Sequence, residues 1–181
     1  MDSDGPSTVV LTVAAADWRT AINDLETVCD RVVRAALERG TTLDWLQAGE
    51  VSVLLADDAL TRRLNARYRR RDRPTNVLSF PIIDLDQGET VQEPPPGPTL
   101  LGDVALSIDR VRAEAAALDK SPIDHFSHLL THGVLHLLGY DHQDDDQAVV
   151  MERLEDVILR DLGMAPPRGD GVAAETMRTW R

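Results

Sequence analysis

The stretch His132-Gly133-Val134-Leu135-His136-Leu137-Leu138-Gly139-Tyr140-Asp141-His142 constrains this chain more than any other. Two histidines four apart share one face of a helix and can grip one metal ion. Gly139 follows three residues after the second, where a helix commonly stops in a left-handed turn. A chain turned there can double back and bring His142 to the same ion. Three neutral imidazoles leave a fourth position open for water, the layout of a catalytic rather than a structural zinc site. A lone His-x-x-x-His would be explained as well by packing. Here four of the five histidines lie between 125 and 136, and the fifth is His142.

The approach to this stretch is helical. Ser121-Pro122-Ile123-Asp124 supplies an N-cap, a proline at the first helical position and a short-armed capping box. At about 100° per residue, His128, His132 and His136 form one stripe, with Phe126, Leu130, Val134, Leu137 and Leu138 on the far side. The helix is therefore expected to be buried with its imidazoles facing a cleft. Only adjacent turns can share an ion, and only His136 is near enough to the Gly139 turn to meet His142. His132, His136 and His142 are thus the expected ligands. His128 is expected behind them or facing substrate, and His125 on the surface of the first turn. The spacing matches that of metzincin proteases, which carry a glutamate base after the first histidine. Gly133 stands there instead and cannot take a proton.

At 181 residues one domain with a full core is the simplest expectation. The single Cys29 allows no internal disulfide and suits a reducing cytoplasm; its place on an apolar helix face implies packing. The acidic start Met1-Asp2-Ser3-Asp4-Gly5 is unlike a secretory signal, and the apolar run Val9 to Ala16 is too short to span a membrane. The formal net charge of −12 disfavours nucleic acid as a partner, but its distribution reverses that locally. Seven Arg and one Asp between Arg62 and Arg73 give +6, leaving −18 on the rest. A basic patch on an acidic body binds phosphate in one place and repels it elsewhere.

Thr8 to Ala14 is expected as a strand, followed by one helix capped by Asp17 and ending near Gly40. Thr41 to Gly49 is a connection and Glu50 to Ala56 a strand. Asp57 or Asp58 caps a helix to about Tyr68, and Asn76 to Phe80 is a short strand closed by Pro81. Asp84 to Thr99, with four Pro and two Gly, is expected to be a flexible loop. Leu100 to Ser107 is a strand and Ile108 to Leu118 a helix. After the histidines, Asp144, Asp145 and Asp146 suit a helix N-terminus; they are also possible metal ligands, with capping the simpler account. That helix is expected to use Val150, Leu154, Val157 and Ile158 and to stop at Gly163. Ala165 to Arg181 is a tail. The order predicts an α+β fold, a single domain over 1–164 with one mixed sheet and helices packed on it.

Two further stretches, Leu64-Asn65-Ala66-Arg67-Tyr68-Arg69-Arg70-Arg71-Asp72-Arg73-Pro74-Thr75-Asn76-Val77-Leu78-Ser79-Phe80-Pro81 and Leu101-Gly102-Asp103, join the histidine segment in an order that resembles the YbeY family of bacterial endoribonucleases. The match runs from about Val51 to Gly163. The resemblance implies a small domain with a four-stranded sheet and a central histidine-bearing helix, and zinc on His132, His136 and His142. It implies a catalytic role for Arg69 beside His132. It further implies cleavage of single-stranded RNA in ribosomal RNA maturation, including 3′-end processing of 16S RNA and ribosome quality control, with the ribosome or its proteins as partners. Where family members often have Gly-Lys after that Arg, this chain has Arg70-Arg71, which implies a stiffer turn.

A His₃ zinc makes hydroxide available near pH 7 without a protein base, so Gly133 is compatible with hydrolysis. The RNA 2′-hydroxyl is an alternative nucleophile. Arg69 suits bidentate stabilisation of phosphate charge. Arg67, Arg70, Arg71 and Arg73, with His128, are the expected RNA contacts, giving salt-dependent affinity. Two other readings are a metallopeptidase, disfavoured by Gly133 and the Arg cluster, and a non-catalytic ribosome-assembly factor with a structural zinc.

Overall fold

The computed structural model describes residues 9–85 and 99–166. In chain order these form β1 (Val9–Val13), α1 (Asp17–Ala21), α2 (Leu25–Gly40), α3 (Asp44–Gln47), β2 (Glu50–Ala56), α4 (Asp58–Arg69), β3 (Val77–Pro81), β4 (Leu100–Ser107), α5 (Ile108–Ala117), α6 (Pro122–Leu137) and α7 (Asp145–Asp161). The strands make one mixed four-stranded sheet in the order β1-β2-β4-β3. β1 and β4 both run parallel to β2, and β3 runs antiparallel to β4 at the edge. The α+β fold has the expected single domain with the histidine-bearing helix on its sheet.

Alternation along the strands decides which helix covers which face. Val51, Val53, Leu55, Val104 and Leu106 point into the main core, built with α2, α6 and α7. Val77 and Ser79 share that face, lying against Gly133 of α6. Leu78 and its cross-strand partner Ala105 are buried on the other face, where α4 lies and Tyr68 meets Phe80 edge-on at 5.1 Å. The helices α4 and α6 therefore sit on opposite faces, each packed against the edge strand β3. Trp18 ties the amino-terminal helix in: its ring packs against Phe126 at 5.2 Å and its Nε1–H donates to the Ala56 carbonyl at 2.9 Å. Cys29 is fully buried, and burial pushes its thiol up to about 12, so it packs as an unreactive apolar group.

Several expectations are corrected. The single helix from Asp17 to Gly40 is two helices, because Ile22 is extended and Asp24 is left-handed at φ 49°. Asn and Asp compete locally with the helix and tolerate that conformation, and the break lets both Trp18 and Leu25 reach the core. The Thr41–Gly49 connection contains α3. Helix α7 buries Ile158 and packs Leu154 on the core as expected, but Val150 and Val157 are 52% and 45% exposed, and Met151, Glu155 and Leu159 are buried in their place. An apolar count cannot place a carboxylate on an inward stripe. Of the Asp84–Thr99 segment, residues 86–98 lie outside the described residues, but Leu85 is buried and the Thr99 carbonyl accepts from Glu50 N at 2.7 Å. Of the tail, 167–181 lie outside. Its first residues are anchored: Ala165 N donates to Asp124 Oδ1 at 3.0 Å and Lys120 Nζ to the Pro166 carbonyl at 2.7 Å.

Gly133 is where α6 comes closest to the sheet. A Cβ there would lie 2.6 Å from Val104 Cγ1 and 3.2 Å from Ser79 Oγ. Packing alone excludes a side chain, and one placed here starts into the sheet rather than toward the histidines. Gly133→Ala is expected to lower the melting temperature, since overpacking costs ~1–3 kcal/mol against a helix-propensity gain of about 1 kcal/mol. A melt at or above wild type would show that Val104 yields freely.

Candidate metal centre

Helix α6 begins as its sequence dictates. Ser121 Oγ accepts from Asp124 N at 3.2 Å and donates to Asp124 Oδ2 at 2.6 Å, with Pro122 at the first turn. It ends at Gly139, where φ is 84°. Gly139 N donates to the His136 carbonyl and Tyr140 N to the Leu135 carbonyl, each at 3.1 Å, which closes the helix and reverses the chain. The Leu85 carbonyl lies where a Gly139 Cβ would be. Tyr140 OH donates to the Gly40 carbonyl at 2.9 Å and fixes the reversed segment on α2.

The turn brings His142 back. Its ring centroid lies 5.5 Å from that of His132 and 5.1 Å from that of His136, and those two are 4.5 Å apart. The Nε2 atoms of His132 and His136 face each other at 3.0 Å. One ring nitrogen from each of the three lies within 4.8 Å of the others. Burial, then the charges His132 and His142 would carry, lower the His136 pKa to about 3. His136 is therefore neutral at physiological pH, the form a metal takes. Three convergent imidazoles suit a borderline divalent ion such as zinc, so this triad can hold a metal. Two nearby aspartates are otherwise engaged. Asp144 caps α7 by accepting from Gln147 N at 2.8 Å, and Asp141 Oδ1 accepts from His142 N at 2.8 Å.

Of the remaining histidines, His128 lies behind the ligands as expected, whereas His125 departs from its expected place. His125 is 3% exposed, not on the surface, and its Nε2 meets Glu114 Oε2 at 2.7 Å. His128 is 7% exposed, and its Nε2 lies 3.2 Å from Glu155 Oε2. Enclosed there, it faces a carboxylate and offers no surface to RNA, so the expected contact is withdrawn. Burial lowers the His128 pKa, with Glu155 opposing. Glu155 is 1% exposed, and its Oε1 lies 2.6 Å from His132 Nδ1. Burial would raise the Glu155 carboxyl, but the hydrogen bonds of His128 and His132, with any charge those rings would carry, outweigh it and hold it well below the usual range. No motif marks Glu155. Its one signal in the sequence is a carboxylate spaced four from Met151 and three from Ile158.

Arg69 ends α4, and Arg70 follows in the left-handed region at φ 56°. Both Arg70 N and Arg71 N donate to the Asn65 carbonyl, and Asn65 Nδ2 donates to the Arg73 carbonyl at 2.8 Å. Buried Asn65 thus pins the arginine turn from within. Arg69 is exposed as a residue; partial desolvation of its guanidinium, then Arg71, lower its pKa. Arg62 is held bidentately by Asp72 at 2.7 and 2.8 Å. Arg67 lies over the 58%-exposed Tyr68, 5.4 Å from the ring centroid.

The metal-capable histidine triad thus lies on one face of the edge strand and the arginine turn on the other. The family model described as Endoribonuclease YbeY matches residues 12–163. The chain belongs to this family. YbeY relatives are similar over most of their length. The "Endoribonuclease YbeY" of Paramagnetospirillum magneticum is 43% identical, covering 90% of this chain and 96% of that one. That of Bradyrhizobium diazoefficiens is 45% identical, covering 91% and 86%. That of Rhodospirillum rubrum is 41% identical, covering 96% and 87%. Among solved structures, TM1509 from Thermotoga maritima shares the fold, with a TM-score of 0.53 at 17% identity over 89% of this chain and 99% of that one. Among the described residues no helix is long and apolar enough to cross a membrane.

Proposed function

We propose that this protein is a zinc-dependent, single-strand-specific endoribonuclease. It acts in ribosomal RNA maturation, including 3′-end processing of 16S RNA, and in ribosome quality control. Residues 1–164 form the catalytic domain and 165–181 a tail. It works in the cytoplasm on RNA held by the ribosome or its proteins. The observation that carries this reading is the convergence of His132, His136 and His142, in a chain whose relatives are named endoribonucleases.

His132, His136 and His142 would hold the ion. When bound, zinc supplies Lewis acidity toward a phosphodiester and toward water. Arg69 stays protonated at any working pH despite its lowered pKa, because a guanidinium starts from a strongly basic value. Its planar guanidinium suits two phosphate oxygens and would stabilise the charge that builds on them. Arg67, Arg70, Arg71 and Arg73 extend that contact along the backbone, and Arg62 is held bidentately by Asp72. With α4 and α6 on opposite faces, a strand touching both arginines and histidines crosses the outer edge of β3. Gly133, packed against β3 and β4, provides no peptidase base.

The test is cleavage of single-stranded RNA by metal-quantified protein, beside an unfolded protein substrate. Arg69→Ala is expected to fold and keep its metal while losing about 10²–10³ in cleavage rate, the usual loss for one charge-stabilising donor. Arg71→Ala is expected to weaken binding and lower the salt slope by about 1. Proteolysis without RNA cleavage would replace this reading with the peptidase. RNA binding without cleavage would replace it with the assembly factor.

A further inference from the structure

Resting on the metal reading above, we infer that Glu155 is the positioning residue of the centre: it fixes His132 in the tautomer that leaves Nε2 free, and His128 fixes Glu155. An ionised carboxylate only accepts hydrogen bonds. At 2.6 Å from Glu155 Oε1, His132 Nδ1 must therefore carry the proton. A neutral imidazole has a single N–H, so the His132 Nε2 lone pair is left to face His136 Nε2 and the stacked ring of His142. That is the nitrogen inside the cluster. The other carboxylate oxygen is not idle. His128 Nε2–H donates to Oε2 from the preceding turn of α6 at 3.2 Å.

The arrangement explains three facts together. A carboxylate is retained at 1% exposure because two donors from α6 satisfy it. Helix α7 turns Met151 and Ile158 inward and leaves Val150 and Val157 outside because Glu155 lies on the stripe that must face α6. His128 continues the ligand stripe without reaching the cluster, because its partner is the residue that orients a ligand rather than the ion. Carboxylates placed behind a ligating histidine set ring orientation and raise ligand basicity, and losing one weakens metal affinity 10- to 100-fold.

The experiment uses the full chain and zinc alone, without RNA. Competition with a chromophoric chelator is expected to show a zinc Kd raised 10- to 100-fold in Glu155→Gln. His125→Gln removes the same kind of buried histidine–carboxylate pair at a site with no ligand, and should leave the Kd within about 2-fold of wild type. Ring-nitrogen NMR of the metal-free wild type should place the His132 proton on Nδ1, a result that needs no variant to fold. A His132 proton on Nε2, or equal zinc affinity in Glu155→Gln and wild type, would overturn the inference. A wild type that binds no zinc would instead overturn the metal reading, and the NMR result would still decide where the His132 proton lies.

Discussion

His136→Ala is expected to abolish metal binding, RNA cleavage and the metal-dependent part of thermal stability at once. In wild type, metal at 100 times its Kd should stabilise the fold by about 2.7 kcal/mol. In the variant, melts with and without zinc should superimpose, and elemental analysis should find no bound ion. The same variant should change the acid response of the metal-free protein. The His136 pKa is depressed from 6.5 to about 3 in the fold, so between those values the unfolded chain binds a proton that the native state refuses. Stability therefore falls as pH falls through that window, and His136→Ala should flatten the fall. His125→Ala is the informative control. It leaves half-buried Glu114 without its imidazole, with Asn76 Nδ2 as its remaining donor, and should lower the melting temperature while keeping the metal. Full metal occupancy in His136→Ala would show that the ion sits elsewhere.

The second large effect is expected at Gly139. A non-glycine residue at φ 84° costs roughly 1–2 kcal/mol in backbone strain alone. The Leu85 carbonyl stands in the way of any Cβ, and backbone yields less cheaply than a side-chain tip. Gly139→Ala should therefore lose at least ~2 kcal/mol, about 4–8 °C in melting temperature for a domain of this size. It should also bind zinc weakly, because the turn that returns His142 is the one disturbed. Gly139→Asn separates the two causes. Asn tolerates the left-handed region but still carries a Cβ, so it should fare no better than Ala. An Asn variant that melts like wild type would leave strain as the whole cost and remove the contact with Leu85.

The ligand triad was legible in the sequence because its geometry is nearly all local. Helical spacing joins His132 to His136, and one glycine returns His142. The sheet was legible for a similar reason: Val51, Val53 and Leu55 alternate cleanly, and β3 is short and bounded by Pro74 and Pro81. What stayed hidden depends on partners distant in sequence. His125 reads as a polar first-turn residue until Glu114 of α5 is found beside it. Glu155 reads as the polar side of an amphipathic helix until two histidines from α6 are found pointing at it. The break at Asp24 was missed because apolar residues keep helical spacing across it, and only the backbone shows that Ile22 leaves the helix. Gly133 was legible as a missing base, but its packing reason lies in Val104 and Ser79 on two different strands.

The triad and Glu155 all come from one stretch of chain, between His132 and Glu155. The sheet is the opposite case, since β1 pairs with β2 across the whole of α1, α2 and α3, and β4 reaches β2 across α4 and β3. Loop-closure entropy rises with the length of chain enclosed, and long-range pairing is the slow part of assembly. Gathering the ligands thus asks little of the distant chain beyond a surface for α6 to lie on. The centre is the low-contact-order portion of an otherwise high-contact-order fold, and an ion captured there during refolding would bias a carboxy-terminal hairpin of two helices before the amino-terminal strand has found its neighbour.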